Sequence, residues 1–266
     1  MFKRRFPMAL LPMVLLVLAG AGWTAEETRP ASFDHPEPDR QLQRVIVFPR
    51  EIKGKVELVL DCVARIQPNG KLKDTGCYTD NQYQQAFTSQ VIKASSRARM
   101  APALVNGKPY EIYMQFRIAF AADEYKKKKI EVEDEDDKKA VKAAEKEAEK
   151  AAQLARNMRT RIFPNPGYEE NVLAYGIDHV AGQRVIGKKE PWNEACPSRA
   201  HYRLLVRAYL GEDGKADNPS IEFGDGIRPI ASCLDAIKAT IVNSLYVPAM
   251  ADGVPVPSTY IELFGN

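Results

Sequence analysis

The chain has little of what catalytic and metal sites are usually built from. Its 266 residues include three histidines, His35, His179 and His201, none at motif spacing from a carboxylate or a nucleophile. General-acid, general-base and nucleophilic chemistry all need such partners. There is no G-x-S-x-G, no H-E-x-x-H and no glycine-rich phosphate loop. These absences point away from an enzyme, a cofactor and a metal.

Excess charge is also lacking. The formal net charge is +3, and setting aside Lys3, Arg4 and Arg5 leaves 35 basic against 35 acidic residues. A balanced chain has no basic patch with which to displace counterions from phosphates, so nucleic acid is not an expected partner. No apolar run reaches the roughly 20 residues of a bilayer span. The nearest, Ala9 to Leu18, follows the basic start and precedes Ala19-Gly20-Ala21, a small–x–small cleavage pattern. Residues 1–21, or up to 25, therefore read as a secretory signal. Left uncleaved, the same segment would serve as an N-terminal anchor, and only then would a membrane be a partner.

The four cysteines, Cys62, Cys77, Cys196 and Cys233, form no C-x-x-C pair. An even number in an exported chain favours disulfides over zinc. The alternative is buried thiols, which pack as small hydrophobes.

What is present is a repeated phrase. Ala101 to Phe120 carries Pro102, Gly107 and Pro109, and Val247 to Phe264 carries Pro248, Gly253 and Pro255 at one constant offset. Each copy follows a helical run and leads into an alternating strand. The expected fold is α+β: two small β-β-α-β modules, each an antiparallel sheet packed on one helix, joined by a charged Ala/Glu/Lys helix.

Residues 22–44 are polar and proline-bearing, and read as a disordered leader. Residues 45–122 form the first module. Val56, Leu58, Leu60, Cys62, Ala64 and Ile66 take alternate places, the period of a half-buried strand. Pro68-Asn69-Gly70 turns the chain and pairs Ile66 with Leu72. The returning strand keeps an inward face only if a residue bulges near Lys73 or Asp74. That bulge makes Cys62 and Cys77 cross-strand neighbours and proposes a bond between them. A helix from Gln82 to Met100 presents Phe87, Val91, Ala94 and Ala98 on one face. In the last strand Ile112, Met114, Phe116, Ile118 and Phe120 face the core, while Tyr113, Gln115 and Arg117 face outward.

Residues 123–163 are a charged linker, with six acids in the seven residues from Glu131 to Asp137, then strong helix formers as far as Ile162. They read as a solvated helical spacer, with a partner-binding helix as the alternative. Residues 164–187 are an unassigned connector. Residues 188–266 form the second module: Leu204, Val206, Ala208 and Leu210 alternate, Glu212-Asp213-Gly214 turns, and Leu234, Ile237, Ile241 and Leu245 stripe a helix opened by Cys233. A Cys196–Cys233 bond would tie the module's start to that helix.

The Gly-turned hairpin, the amphipathic helix, the Pro-Ala steps (Pro102-Ala103 and Pro248-Ala249), the x-x-x-Gly-x-Pro phrase and the apolar strand ending in Phe120 or Phe264 resemble the TonB C-terminal domain. Phe48-Pro49 ahead of Gly54-Lys55-Val56 is similar to that family's aromatic-Pro lead-in. The resemblance implies a periplasmic protein of a Gram-negative bacterium, with an exposed sheet edge to which an outer-membrane receptor segment or another envelope protein adds as a strand. On that reading Tyr113, Gln115, Arg117, Thr259 and Ile261 of the two final strands are the candidate contact residues. Two such edges would make binding bivalent, and an open edge also invites a homo-oligomer. The alternative is an inner-membrane-anchored transducer or scaffold. Against it, Ala9 to Leu18 has no polar residue to engage a motor, and only Pro30, Pro36 and Pro38 stand where a transducer carries a long Pro-rich spacer.

Overall fold

The computed structural model describes residues 27–49, 51–78, 82–124, 143, 146–147, 157–196, 203–224, 226 and 228–265. The expected signal sequence, most of the charged linker and His201 lie outside them, while Ala143, Lys146 and Glu147 of the linker are helical. Alternating runs form the strands and amphipathic runs the helices, giving an α+β fold with antiparallel sheets.

After a short turn of helix, α1 (Leu42–Val45), the chain forms β1 (Val56–Ile66), β2 (Leu72–Tyr78), α2 (Gln82–Ser95), a small hairpin of β3 (Ala103–Val105) and β4 (Lys108–Tyr110), and β5 (Ile112–Ala122). β1 lies between β2 and β5. Leu60, Cys62, Ala64 and Ile66 are buried, as are Ile112, Met114, Phe116, Ile118 and Phe120, and α2 covers them with Phe87, Val91 and Ala94, followed by Ala98. The β1–β2 register pairs Ile66 with Leu72 and Cys62 with Cys77, and shifts between Val63 and Arg65. The shift is the anticipated bulge, at Asp74 with φ 51°. It brings the two cysteines together, and the Cys62–Cys77 disulfide is formed.

The hairpin turn is glycine for a steric reason. Gly70 has φ 75°, and a Cβ there would stand 2.2 Å from the Met100 carbonyl oxygen. Gly214, at φ 73°, meets the Tyr246 carbonyl in the same way at 2.7 Å. Asn106-Gly107 and Asp252-Gly253, all at positive φ, turn the two small hairpins, as type I′ turns demand.

The chain continues through β6 (Met158–Phe163), α3 (Glu169–Tyr175), β7 (Gln183–Val185) and α4 (Pro191–Ala195). It then forms β8 (Arg203–Leu210), β9 (Ala216–Phe223), α5 (Ala231–Asn243), β10 (Tyr246–Val247), β11 (Ala249–Ala251), β12 (Val254–Val256) and β13 (Ser258–Gly265). β8 lies between β9 and β13, and Leu204, Val206, Ala208 and Leu210 pack on Ile237 and Ile241 of α5. A Cys196–Cys233 disulfide joins α4 to α5.

Several expectations are corrected. Residues 27–44 are no disordered leader: Ala31, Phe33 and Leu42 are buried in the first core. Gln183 clamps Ala31 by accepting from its N–H at 2.7 Å and donating to its carbonyl at 3.1 Å. Irregular packing of this kind leaves no period in the sequence. The last residues of the linker are not helical, because Met158–Phe163 pairs as β6 along β5 from Arg117 to Ala122; a free sheet edge outweighs local helix propensity. The unassigned connector supplies β7, which also pairs with β5 and in turn with β10. The first sheet thus has six strands, one of them, β10, from the expected second module, and Val247 sits in the first core. The halves are in contact rather than held apart. Leu245 lies beyond the end of α5 and is 46% exposed, so the apolar stripe stops at Ile241.

Candidate interaction site

Four of the five residues expected to meet a partner meet one another. Tyr113 and Gln115, on the outward side of β5, line a shallow depression with Thr259 and Ile261 of β13; Tyr168 and Gly182 of the connector are also part of its lining. It encloses about 10 Å³, the room of a single water, whereas small-molecule sites run to hundreds of cubic ångströms.

The geometry follows from β13. One edge of this strand pairs with β8, so alternate residues turn their backbone groups to the other edge. Thr259 is one of these. Asn171 of α3 donates to its carbonyl at 2.9 Å and accepts from its N–H at 3.0 Å, as a neighbouring strand would. Two residues on, Gln115 donates to the Ile261 carbonyl at 2.6 Å and accepts from the Tyr168 hydroxyl at 3.1 Å. Side-chain amides thus stand on the β13 edge where strand amides would.

Arg117 lies apart from these four. Its guanidinium donates to the Asn165 side-chain oxygen at 3.2 Å and lies 5.3 Å from the ring centre of Phe163. Asn165 is fully buried and also binds the Ile177 and His179 carbonyls, fixing the connector over the sheet. Gly167, at φ 72°, leaves room for Arg117: a Cβ would fall 2.0 Å from its guanidinium. His179 is buried with Nδ1 2.6 Å from the Gly176 carbonyl oxygen.

Sequence reasoning missed the polar centre of this junction. Arg184 of β7 donates through Nε and Nη2 to both oxygens of Glu262 at 2.7 Å, and through Nη1 to Glu190. Tyr260 donates to Glu262 at 2.5 Å, and Trp192 to Glu190 at 2.8 Å. Arg184 is 2% exposed and Glu262 3%. Burial opposes the charge on Arg184, but the Glu262 carboxylate more than offsets it, so the guanidinium is held further into its charged range. One signal was there to read. In the inward series Ser258, Tyr260, Glu262 and Phe264, a carboxylate occupies a place that the alternation reserves for an apolar residue.

Burial, aided by the same centre at three of them, sets the alkaline behaviour of four tyrosines. Burial pushes the hydroxyls of Tyr113, Tyr168, Tyr246 and Tyr260 up, and the Glu262 carboxylate adds to this at Tyr113, Tyr246 and Tyr260. A group whose folded pKa is raised contributes stability that is complete below its unfolded pKa, about 10 for tyrosine, and lost as pH rises through the folded value. Phenolate absorbance should therefore show Tyr113, Tyr168, Tyr246 and Tyr260 ionising only above the ordinary tyrosine range, together with cooperative unfolding. Ionisation of all 11 tyrosines in one phase near pH 10, with circular dichroism unchanged, would contradict this packing.

No family model, no curated protein and no solved structure matches the chain.

Proposed function

We propose that the chain is an exported, non-catalytic binding protein of the Gram-negative cell envelope, built from two versions of one β-β-α-β module, which recognises extended polypeptide segments by strand addition. The observation that carries this reading is the contrast between its sheet edges. β2 and β9, each with one side that pairs with no strand among the described residues, are blunted: each carries a bulge, at Asp74 and Asn218, and β9 contains Pro219. Bulges, prolines and charges are how proteins protect a permanently open edge. β5 and β13 carry neither bulge nor proline, pairing without a shift over 11 and 8 residues, and their outer edges are covered by the chain's own segments and amide side chains. Regular edges of this kind suit an added strand, with main-chain hydrogen bonds supplying affinity and alternate side chains specificity.

The matching strand order in the two halves, β2-β1-β5 and β9-β8-β13, supports a repeated module. The two disulfides suit an oxidising compartment. An anchored transducer fits less well. The Glu27 carbonyl accepts from Gly107 N–H at 2.9 Å, so an uncleaved anchor ending at Ala25 would leave a tether of two residues, about 7 Å. Such a tether holds the body against the bilayer instead of letting it reach across the periplasm.

Fluorescence titration of the purified chain with labelled periplasmic segments of outer-membrane proteins should give saturable binding at about micromolar concentrations. Failure of every segment to bind would reject the reading. N-terminal sequencing of the exported protein is expected to start near Gly22 or Glu26; a start at Met1 would favour the anchor.

A further inference from the structure

The strand on the outer edge of β5 is held in an unusual way. Antiparallel neighbours whose ends meet, as Ala122 and Met158 do, need a connection of only about two residues. Here 35 residues, 123–157, intervene, so β6 reaches its place by a long connection and not as a hairpin partner. Its own burial is slight. Met158, Arg159 and Arg161 are exposed, Thr160 and Ile162 half-buried, and only Phe163 is buried. Among the described residues no strand pairs with the far side of β6. The edge beneath it belongs to the longest regular ladder of the fold, β1 on β5.

We propose that β6 is a resident strand on a strand-accepting edge, and that an extended segment of a partner protein replaces it along Arg117–Ala122. The proposal rests on the strand-addition reading above and names the edge and the sequence that the edge accepts. The register states that sequence. Thr160 stands opposite Phe120 and Ile162 opposite Ile118 on the core side, where Ile162 packs on the first core. Phe163 stands opposite Arg117 on the outer side, with the Arg117 and Arg161 guanidiniums 5.3 and 4.6 Å from its ring centre. Cation–π contact favours an aromatic there. The partner segment therefore carries a β-branched residue, one spacer, an aliphatic residue and an aromatic in succession. It competes with a tethered strand whose effective concentration is of millimolar order, so binding is selective for segments that match the pattern closely.

The test uses a fluorescein-labelled peptide of residues 157–163 as probe. In the full chain, Ile162→Asp unseats β6 by burying a carboxylate in its place. This variant should keep both disulfides and its circular dichroism and bind the peptide saturably, at least about tenfold more tightly than the unaltered chain. A cross-strand lock, Ala121→Cys with Arg159→Cys at directly paired positions, should abolish binding. In case Ile162→Asp fails to fold, hydrogen exchange on the unaltered chain provides an independent measure: Met158–Phe163 amides should exchange at least about a hundredfold faster than those of β1. A folded Ile162→Asp chain that takes no peptide, or β6 amides as slow as those of β1, overturns the proposal. The two readings also separate. Peptide binding without binding of any envelope segment leaves the exchangeable edge standing and removes the proposed function. An envelope segment that binds the locked chain as tightly as the unlocked one leaves strand addition standing at another edge and overturns this inference.

Discussion

Replacing Arg184 by alanine is expected to destabilise the protein by about 3–5 kcal/mol, the usual consequence of leaving a buried charge without its partner. Arg184 brings β7, in the first sheet, against Glu262 of β13, in the second, and against Glu190 just before α4. Removing the guanidinium would strand two carboxylates. Among the described residues Glu262 would keep only the Tyr260 hydroxyl, and Glu190 only the Trp192 indole. For a chain of this size the loss corresponds to a fall in Tm of roughly 6–20 °C. Urea denaturation of the two proteins checks it, and a loss below about 1 kcal/mol would show that the triad is better solvated than its burial implies. The combined replacement Arg184→Met, Glu190→Leu, Tyr260→Phe and Glu262→Leu, which leaves no buried hydroxyl without its acceptor, is expected to recover most of the stability, because matched apolar groups carry no desolvation cost. If it does, the triad serves the register between the two sheets more than their stability.

Reduction of the disulfides is expected to have an effect of similar size. Cys62–Cys77 and Cys196–Cys233 span 15 and 37 residues, which the chain-entropy estimate converts to about 3 and about 4 kcal/mol. Their sum is comparable with the whole stability of an ordinary domain. The second half should suffer first. Among the described residues its core is the smaller, with 12 buried residues against 23, and Cys196 and Cys233 are two of the 12. Thermal melts with and without reductant, compared with a Cys196→Ser/Cys233→Ser variant, measure this directly. Unfolded, unreduced protein should show no free thiols by Ellman titration, and reduced protein four. A variant that melts within about 2 °C of the parent would show that α4 is held to α5 by packing alone.

The parts of this fold legible in the sequence are those whose two faces differ within one element. Alternation placed Leu60, Ile66, Ile112, Phe116 and Phe120 in the first core, and helical spacing did the same for Phe87, Val91 and Ala94. The Cys62–Cys77 bond was legible for the same reason, since a side-chain period of two makes register a discrete choice and the bulge at Asp74 selects one answer. The candidate contact residues were legible only in part. Tyr113, Gln115, Thr259 and Ile261 do turn away from their own cores, but what they turn toward is each other.

β6 shows why the remainder was hidden. Its Thr160 and Ile162 alternate as a strand's residues should, yet they follow a long run of helix formers and are strand only because β5 has an open edge. Ala31 and Gln183 are 152 positions apart, and Arg184 and Glu262 are 78. The sequence by itself determined which faces are apolar, where the chain turns and which cysteines can meet, because those properties depend on neighbours a few residues away. Tertiary structure alone decided which edges are covered, how the two sheets dock and why a carboxylate stands in the second core. Pairings between distant segments leave no period along the chain.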